Sequence, residues 1–179
     1  MHKDIQRILF TEEQIRTRVT EVAKQVDCEL AGKTPLAVGI LKGGIIFYAD
    51  FIRHLAMPLE LDFMAVSSYG SGTASSGNLK IRKDLDGGVK GRDVLIIEDI
   101  IDSGFTLACL KKLLLEREAA SVTIVTLLDK RERRTEDIHS DYNCFIIPDE
   151  FVVGYGLDFD EKYRSLPYIG ILKPSVYQK

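Results

Sequence analysis

Three short apolar runs constrain this chain more than any other feature. "LAVGIL" (36–41), "DVLIIE" (93–98) and "SVTIVTLLD" (121–129) are shorter than a typical helix, and they lack the alternation of a strand with one wet face. Runs of this kind read as strands buried on both faces, which occur in parallel sheets covered by helices. Amphipathic stretches lie between them. Ile15, Val19, Val22 and Val26 recur on one helical face, and Leu107, Leu110 and Leu114 on another. Thr11 and Gln14 form a capping box before the first helix, and Phe10 with Ile15 is placed as a hydrophobic staple. Gly32 and Pro35 end that helix. A second helix is expected in "KGGIIFYADFIRHLA", and further strands in "LELDFMAVSSY", "LKIRKD", "NCFIIP" and "YIGILKP". The alternation predicts an α/β fold: a parallel β-sheet core flanked by helices on both faces, Rossmann-like in outline.

A sheet of this type binds ligands beyond the carboxyl ends of its strands. Those ends are polar here. Lys42, Gly43 and Gly44 follow the first run, Glu98, Asp99 and Asp102 the second, and Asp129 and Lys130 the third. The other functional classes fit poorly. A net charge of −3 argues against a protein built to grip nucleic acid backbones. No apolar stretch approaches the roughly 20 residues of a membrane span. The start of the chain lacks the apolar segment of a signal peptide, so a cytoplasmic location is expected. Cys28, Cys109 and Cys144 have spacings of neither a disulfide framework nor a zinc site, and they read as small buried hydrophobes. His2, His54 and His139 are scattered and fall in no nucleophile or metal motif.

The segment "VLIIEDIIDSGFT" (94–106) carries the densest chemistry. Ser103 and Thr106 supply hydroxyls, Gly104 allows a close turn, and a helix starts there whose free N–H groups suit an anion such as a phosphate monoester. Glu98 and Asp99 would repel that anion. They suit the hydroxyls of a sugar diol, or a metal ion bridging to the ligand. The segment therefore reads as a grip for ribose 5-phosphate. It is not a P-loop, because Lys42 precedes its glycines, and no G-x-G-x-x-G fingerprint opens a helix. "GSGTASSGN" (70–78) reads as a mobile loop.

"VLIIEDIIDSGFT" closely resembles the phosphoribosyl-diphosphate motif of type I phosphoribosyltransferases. "LKGG" (41–44), "SSYGSGTASSG" (67–77), "LLDK" (127–130) and "FVVGYGLDFDEKYRSLPYIG" (151–170) narrow the resemblance to the 6-oxopurine branch, the hypoxanthine-guanine phosphoribosyltransferase family. The resemblance implies a single domain over residues 1–179, with a small hood formed by N-terminal and C-terminal segments. It implies purine salvage: hypoxanthine or guanine plus 5-phosphoribosyl diphosphate, with Mg2+, gives the nucleoside 5′-monophosphate and pyrophosphate. A preference for xanthine, or a regulator that senses the ribosyl diphosphate, are the alternatives. The chain has no room for a winged helix, which argues against the regulator.

The same resemblance implies roles for individual residues. Glu98 and Asp99 would hold the ribose hydroxyls, and Asp102, Ser103, Gly104, Phe105 and Thr106 the 5′-phosphate. Phe105 would contribute its amide rather than its ring. Asp102 would also take the proton from N7 of the purine. Lys42, Gly43 and Arg164 would meet pyrophosphate, with a cis peptide between Leu41 and Lys42. Lys130 would select the base, since an ammonium donates to a 6-oxo group and finds no acceptor in a 6-amino group. Phe151 would stack on the purine, and the backbone of Val152 and the segment at Asp158 would read its edge. Asp158, with Glu98 and Asp99, would serve the magnesium. Ser68 and Tyr69 would belong to a closing lid. Arg131, Glu132, Arg133, Arg134 and Glu136 read as a solvated charge run, and Tyr155 as packing. Dimers or tetramers of the chain are implied as well.

Overall fold

The computed structural model describes residues 1–68 and 79–178. In chain order the described strands and α-helices are β1 (Ile5–Phe10), α1 (Glu12–Glu29), β2 (Leu36–Leu41), α2 (Ile45–Ile52), β3 (Glu60–Ser68) and β4 (Leu79–Lys83). There follow β5 (Asp93–Ile101), α3 (Phe105–Glu116), β6 (Ser121–Asp129), β7 (Tyr142–Ile146), β8 (Val152–Val153), β9 (Ile169–Leu172) and the short α4 (Pro174–Tyr177). Lid residue Tyr69 lies outside the described residues, and Ser68 is described only as the last backbone position of β3.

Among the described residues, six strands form the main sheet in the order β4-β3-β2-β5-β6-β7. β3, β2, β5, β6 and β7 are parallel, while β4 runs antiparallel at one edge. Successive side chains of a strand point to opposite faces, and both faces here are apolar. Leu95 and Ile97 of β5 face α1 and α2, packing with Val19, Phe47 and Phe51. Val94 and Ile96 face α3, packing with Leu107, Leu110 and Leu114. The buried apolar runs are thus sandwiched on both sides, as their composition requires. The capping box of α1 is formed, with Gln14 N–H donating to Thr11 Oγ1 at 3.3 Å and Thr11 N–H to Gln14 Oε1 at 2.9 Å. No described helix is long and apolar enough to cross a membrane.

A second, three-stranded antiparallel sheet joins the chain ends in the order β1-β9-β8. β1 is an element that periodicity alone does not reveal; it is a partly exposed strand whose sequence, "IQRILF", mixes polar and apolar positions.

The cysteine expectation needs correction. Cys144 is buried, but Cys28 is exposed and Cys109 half-buried. Cys28 sits near the end of α1 on the face turned from Val19, Val22 and Val26, which are buried, so the helical period places it in solvent.

Candidate functional site

β2, β5 and β6 end side by side, and the loops after β2 and β5 open onto one cavity of about 510 Å³. It is lined by Lys42 and Gly43 after β2, and by Glu98, Asp99, Asp102, Ser103, Gly104 and Thr106 around the end of β5. Asp158 and Arg164 reach it from the segment between β8 and β9. Ten of the sequence-selected residues therefore share one space.

Glu98 and Asp99 form its inner wall. Both are nearly buried, at 8% and 9% exposure. Burial and the neighbouring Asp99 charge push the Glu98 carboxyl well above its usual range, and burial raises Asp99 as well. Asp99 Oδ1 accepts from Ile100 N–H at 2.8 Å, and Glu98 Oε1 accepts from Asp99 N–H at 3.2 Å. Gly43 is required opposite them: a β-carbon there would collide with Asp99 Oδ2. The peptide bond between Leu41 and Lys42 is cis.

The turn after β5 is the second wall. Gly104 has φ +88°, a left-handed conformation that disfavours residues with a β-carbon, and α3 begins at the next residue. Ser103 Oγ accepts from Phe105 N–H at 3.3 Å, and the Phe105 ring is not part of the cavity lining. Asp102 Oδ1 is buried with no hydrogen bond, and Arg133 Nε forms an ion pair with it at 3.4 Å.

The outer wall is ionic. Arg164 Nη1 donates to Gly156 O at 2.8 Å, and its Nη2 pairs with Asp158 Oδ1 at 2.9 Å and Glu161 Oε2 at 3.3 Å. The other oxygen of Glu161 holds Lys42 Nζ at 3.0 Å. These cations hold the Glu161 carboxyl below its usual range, Lys42 first and Arg164 second. A β-carbon on Gly156 (φ +102°) would strike the Gly43 carbonyl, so two distant glycines let the two loops touch.

Lys130, Phe151 and Val152 stand outside this cavity's lining and form an adjoining group. Lys130 is only 6% exposed, and its Nζ donates to Glu150 O at 3.0 Å and pairs with Asp149 at 3.5 Å. The partly exposed Phe151 ring stacks on Tyr177 of α4, with centroids 4.8 Å apart, and meets Phe159 edge-on at 5.5 Å. Leu172 N–H donates to Phe151 O at 2.9 Å. Val152, one residue on and in the edge strand, therefore turns its backbone groups away from β9.

The charge run after β6 is not uniformly solvated. Arg134 is largely buried and hydrogen-bonded on all three guanidinium nitrogens. Two basic residues beside it in sequence, Arg131 and Arg133, are mostly exposed. Nothing in "DKRERRTED" separates the buried arginine from these neighbours. Its burial follows from the end of β6 lying against the turn after β5. Tyr155, expected to pack, is buried and donates to Asp50 at 2.6 Å.

The carboxylates suit a hard cation without enclosing one by themselves. Among the described residues, no three His, Cys, Asp or Glu side chains gather as a metal-holding group. Asp158 is drawn instead to Arg164 and to the Glu161 N–H, which donates to its Oδ2 at 2.9 Å. A buried carboxyl pair such as Glu98 and Asp99 fits a magnesium ion that arrives with phosphate ligands of its own, since Mg2+ commonly takes one or two carboxylates plus substrate oxygens.

A parallel sheet with a cavity beyond the carboxyl ends of its strands, and a left-handed turn opening a helix onto it, defines an α/β fold of the ligand-binding type, with a helix N-terminus suited to an anion. The chain belongs to the phosphoribosyl transferase domain family, whose match spans residues 7–160. It is 55% identical to the hypoxanthine-guanine phosphoribosyltransferase of Bacillus subtilis (strain 168), over 99% of each chain. It is 52% identical to the protein of that name from Streptococcus thermophilus (strain CNRZ 1066), over 100% of this chain and 99% of the other. A crystal structure of a hypoxanthine phosphoribosyltransferase from Staphylococcus aureus superposes with a TM-score of 0.96 at 50% identity, covering 100% of this chain and 97% of that one.

Proposed function

We propose that the chain is a purine-salvage transferase. It joins hypoxanthine or guanine to 5-phosphoribosyl diphosphate and releases pyrophosphate, leaving the nucleoside 5′-monophosphate. The convergence of an acid pair, a left-handed phosphate turn and two cationic side chains on one cavity supports this reading most directly. Glu98 and Asp99 accept hydrogen bonds from the ribose hydroxyls. The N–H groups and hydroxyls of residues 103–106 hold the 5′-phosphate. Asp102 accepts the proton from purine N7. Lys42, the Gly43 backbone and Arg164 take the pyrophosphate, which requires Lys42 and Arg164 to exchange Glu161 for it.

Lys130 donates to the purine 6-oxo group, Phe151 stacks on the ring, and the backbone of Val152 with the segment at Asp158 reads its edge. The small sheet carrying Phe151 and Val152 acts as a hood over the site. A magnesium ion held by Glu98, Asp99 and Asp158 together with the diphosphate would neutralise charge on the leaving group. We further infer a cytoplasmic enzyme that assembles as dimers or tetramers. Pyrophosphate release assayed separately with hypoxanthine, guanine, xanthine and adenine tests the function. Turnover with the first two and none with adenine is expected. Equal use of adenine would remove Lys130 from base selection, and no release with any base would end the proposal.

A further inference from the structure

Arg134 lies outside the cavity lining, yet it binds the turn that forms one of its walls. Its Nε donates to the Asp102 carbonyl at 3.1 Å, its Nη1 to the Ile138 carbonyl at 2.5 Å, and its Nη2 to Asp129 Oδ1 at 2.5 Å. The next two residues continue the contact. Thr135 N–H and Glu136 N–H both donate to the Ser103 carbonyl, at 3.0 and 3.1 Å, and Thr135 Oγ1 donates to it at 3.3 Å. The buried Asp129 is the last residue of β6, and Lys130 follows it.

We propose that Arg134 is the positioning residue that aims the 5′-phosphate-binding amides. The inference rests on the proposed function. A trans peptide points its carbonyl and the following N–H in opposite directions. Fixing the Asp102 and Ser103 carbonyls on the 134–136 segment therefore turns the Ser103 and Gly104 N–H groups the other way, toward the cavity those residues line. Gly104 is clamped from the same side: a β-carbon there would meet Ile138 Cγ2 and Arg134 Cδ. Amides held this way need no reorganisation when a phosphate arrives. A guanidinium suits the task because its planar fork serves three acceptors in fixed directions, which an ammonium on a flexible stem cannot. Through Asp129 the same side chain ties the phosphate turn to the strand end that carries Lys130.

The test is calorimetric binding of guanosine 5′-monophosphate and, separately, of magnesium pyrophosphate. Arg134→Gln is expected to weaken the monophosphate at least about tenfold, the scale of one charge-assisted hydrogen bond, and to leave pyrophosphate within about twofold. Arg131→Gln is the control. Arg131 pairs with the same Asp129, at 3.1 Å, but donates no hydrogen bond to the turn, so both affinities should hold. If Arg134→Gln does not fold, Arg134→Lys carries the test. It keeps a cation beside Asp129 and should still weaken the monophosphate about threefold or more, with pyrophosphate unchanged. Unchanged monophosphate binding, or an equal loss for both ligands, overturns the proposal. Failure of the unsubstituted protein to bind the monophosphate at all would overturn the proposed function instead.

Discussion

On the inner side of the cavity, Glu98 and Asp99 are held almost out of water, and main-chain N–H groups fix their oxygens. On the outer side, Lys42 and Glu161 pair in solvent with side chains 67% and 65% exposed. The inner groups cannot move without disturbing the sheet. The outer groups can trade partners at little cost, because exposed ion pairs are weak and screened. The difference suits a transfer in which ribose and 5′-phosphate stay in place while pyrophosphate departs. In the proposed function the rigid wall would hold what remains bound, and the loose wall what leaves.

The turn next to the rigid wall should give the largest effect. Asp102→Asn is nearly isosteric and removes the proposed proton acceptor. Steady-state kinetics should show kcat lowered about 10²-fold or more, with binding of the ribosyl diphosphate retained. Near-normal turnover would take Asp102 out of the chemistry. Next comes Gly43→Ala, whose new methyl must displace the Asp99 carboxylate. We expect kcat/KM for the ribosyl diphosphate to drop at least about tenfold, the scale of one lost charged hydrogen bond. Gly87→Ala, where a β-carbon meets nothing within 4 Å, should leave it unchanged.

The acid pair also bears on stability, and the sign can be worked out. A carboxyl whose folded pKa is raised keeps its proton more tightly in the fold than in the unfolded chain. Its contribution therefore becomes less favourable as pH rises from the ordinary carboxylate range to the raised value. Glu98→Gln removes that penalty. Melting at pH 8 should shift up by about 2–4 °C, with a smaller gain at pH 5, while ribosyl-diphosphate binding is lost. A lower melting temperature at pH 8 would show that Glu98 stabilises the fold in its charged form. The same pair predicts that magnesium-dependent binding strengthens with pH through the raised carboxyl range, as protons are displaced. Titration calorimetry in buffers of different ionisation heat would count them.

The loose wall should give the smallest change. Glu161→Gln frees Lys42 and leaves Arg164 on Asp158 and the Gly156 carbonyl, so KM for the ribosyl diphosphate should fall by no more than about threefold, and less at high salt. A tenfold effect would mean that the outer wall is as fixed as the inner one.

Much of this arrangement is legible in the sequence. Apolar runs mark the buried strands, and polar residues that follow the first two, from Lys42 and from Glu98, line the cavity, because a strand's carboxyl end is where its loop begins; Asp129 and Lys130 after the third stand outside its lining. The capping box at Thr11 is a local pattern and was formed as local chemistry requires. The exposure of Cys28 was legible too, since the helical period of α1 sets it opposite Val19, Val22 and Val26. Other features had no local signal. "RERR" gives one residue a buried role and its neighbours exposed ones. Tyr177 meets Phe151 only because the chain's end folds back beside β8.

The sequence by itself determined which residues sit at strand ends and which chemistry they carry, since strand and helix periods act over a few neighbouring residues. Only the tertiary structure decided which of those ends lie side by side. The parallel pairing of β2 with β5 and β5 with β6 brings Gly43 against Asp99 and sets Arg134 behind Asp102. Those contacts join residues tens of positions apart, and they arise from how the apolar faces pack together rather than from any pattern along the chain.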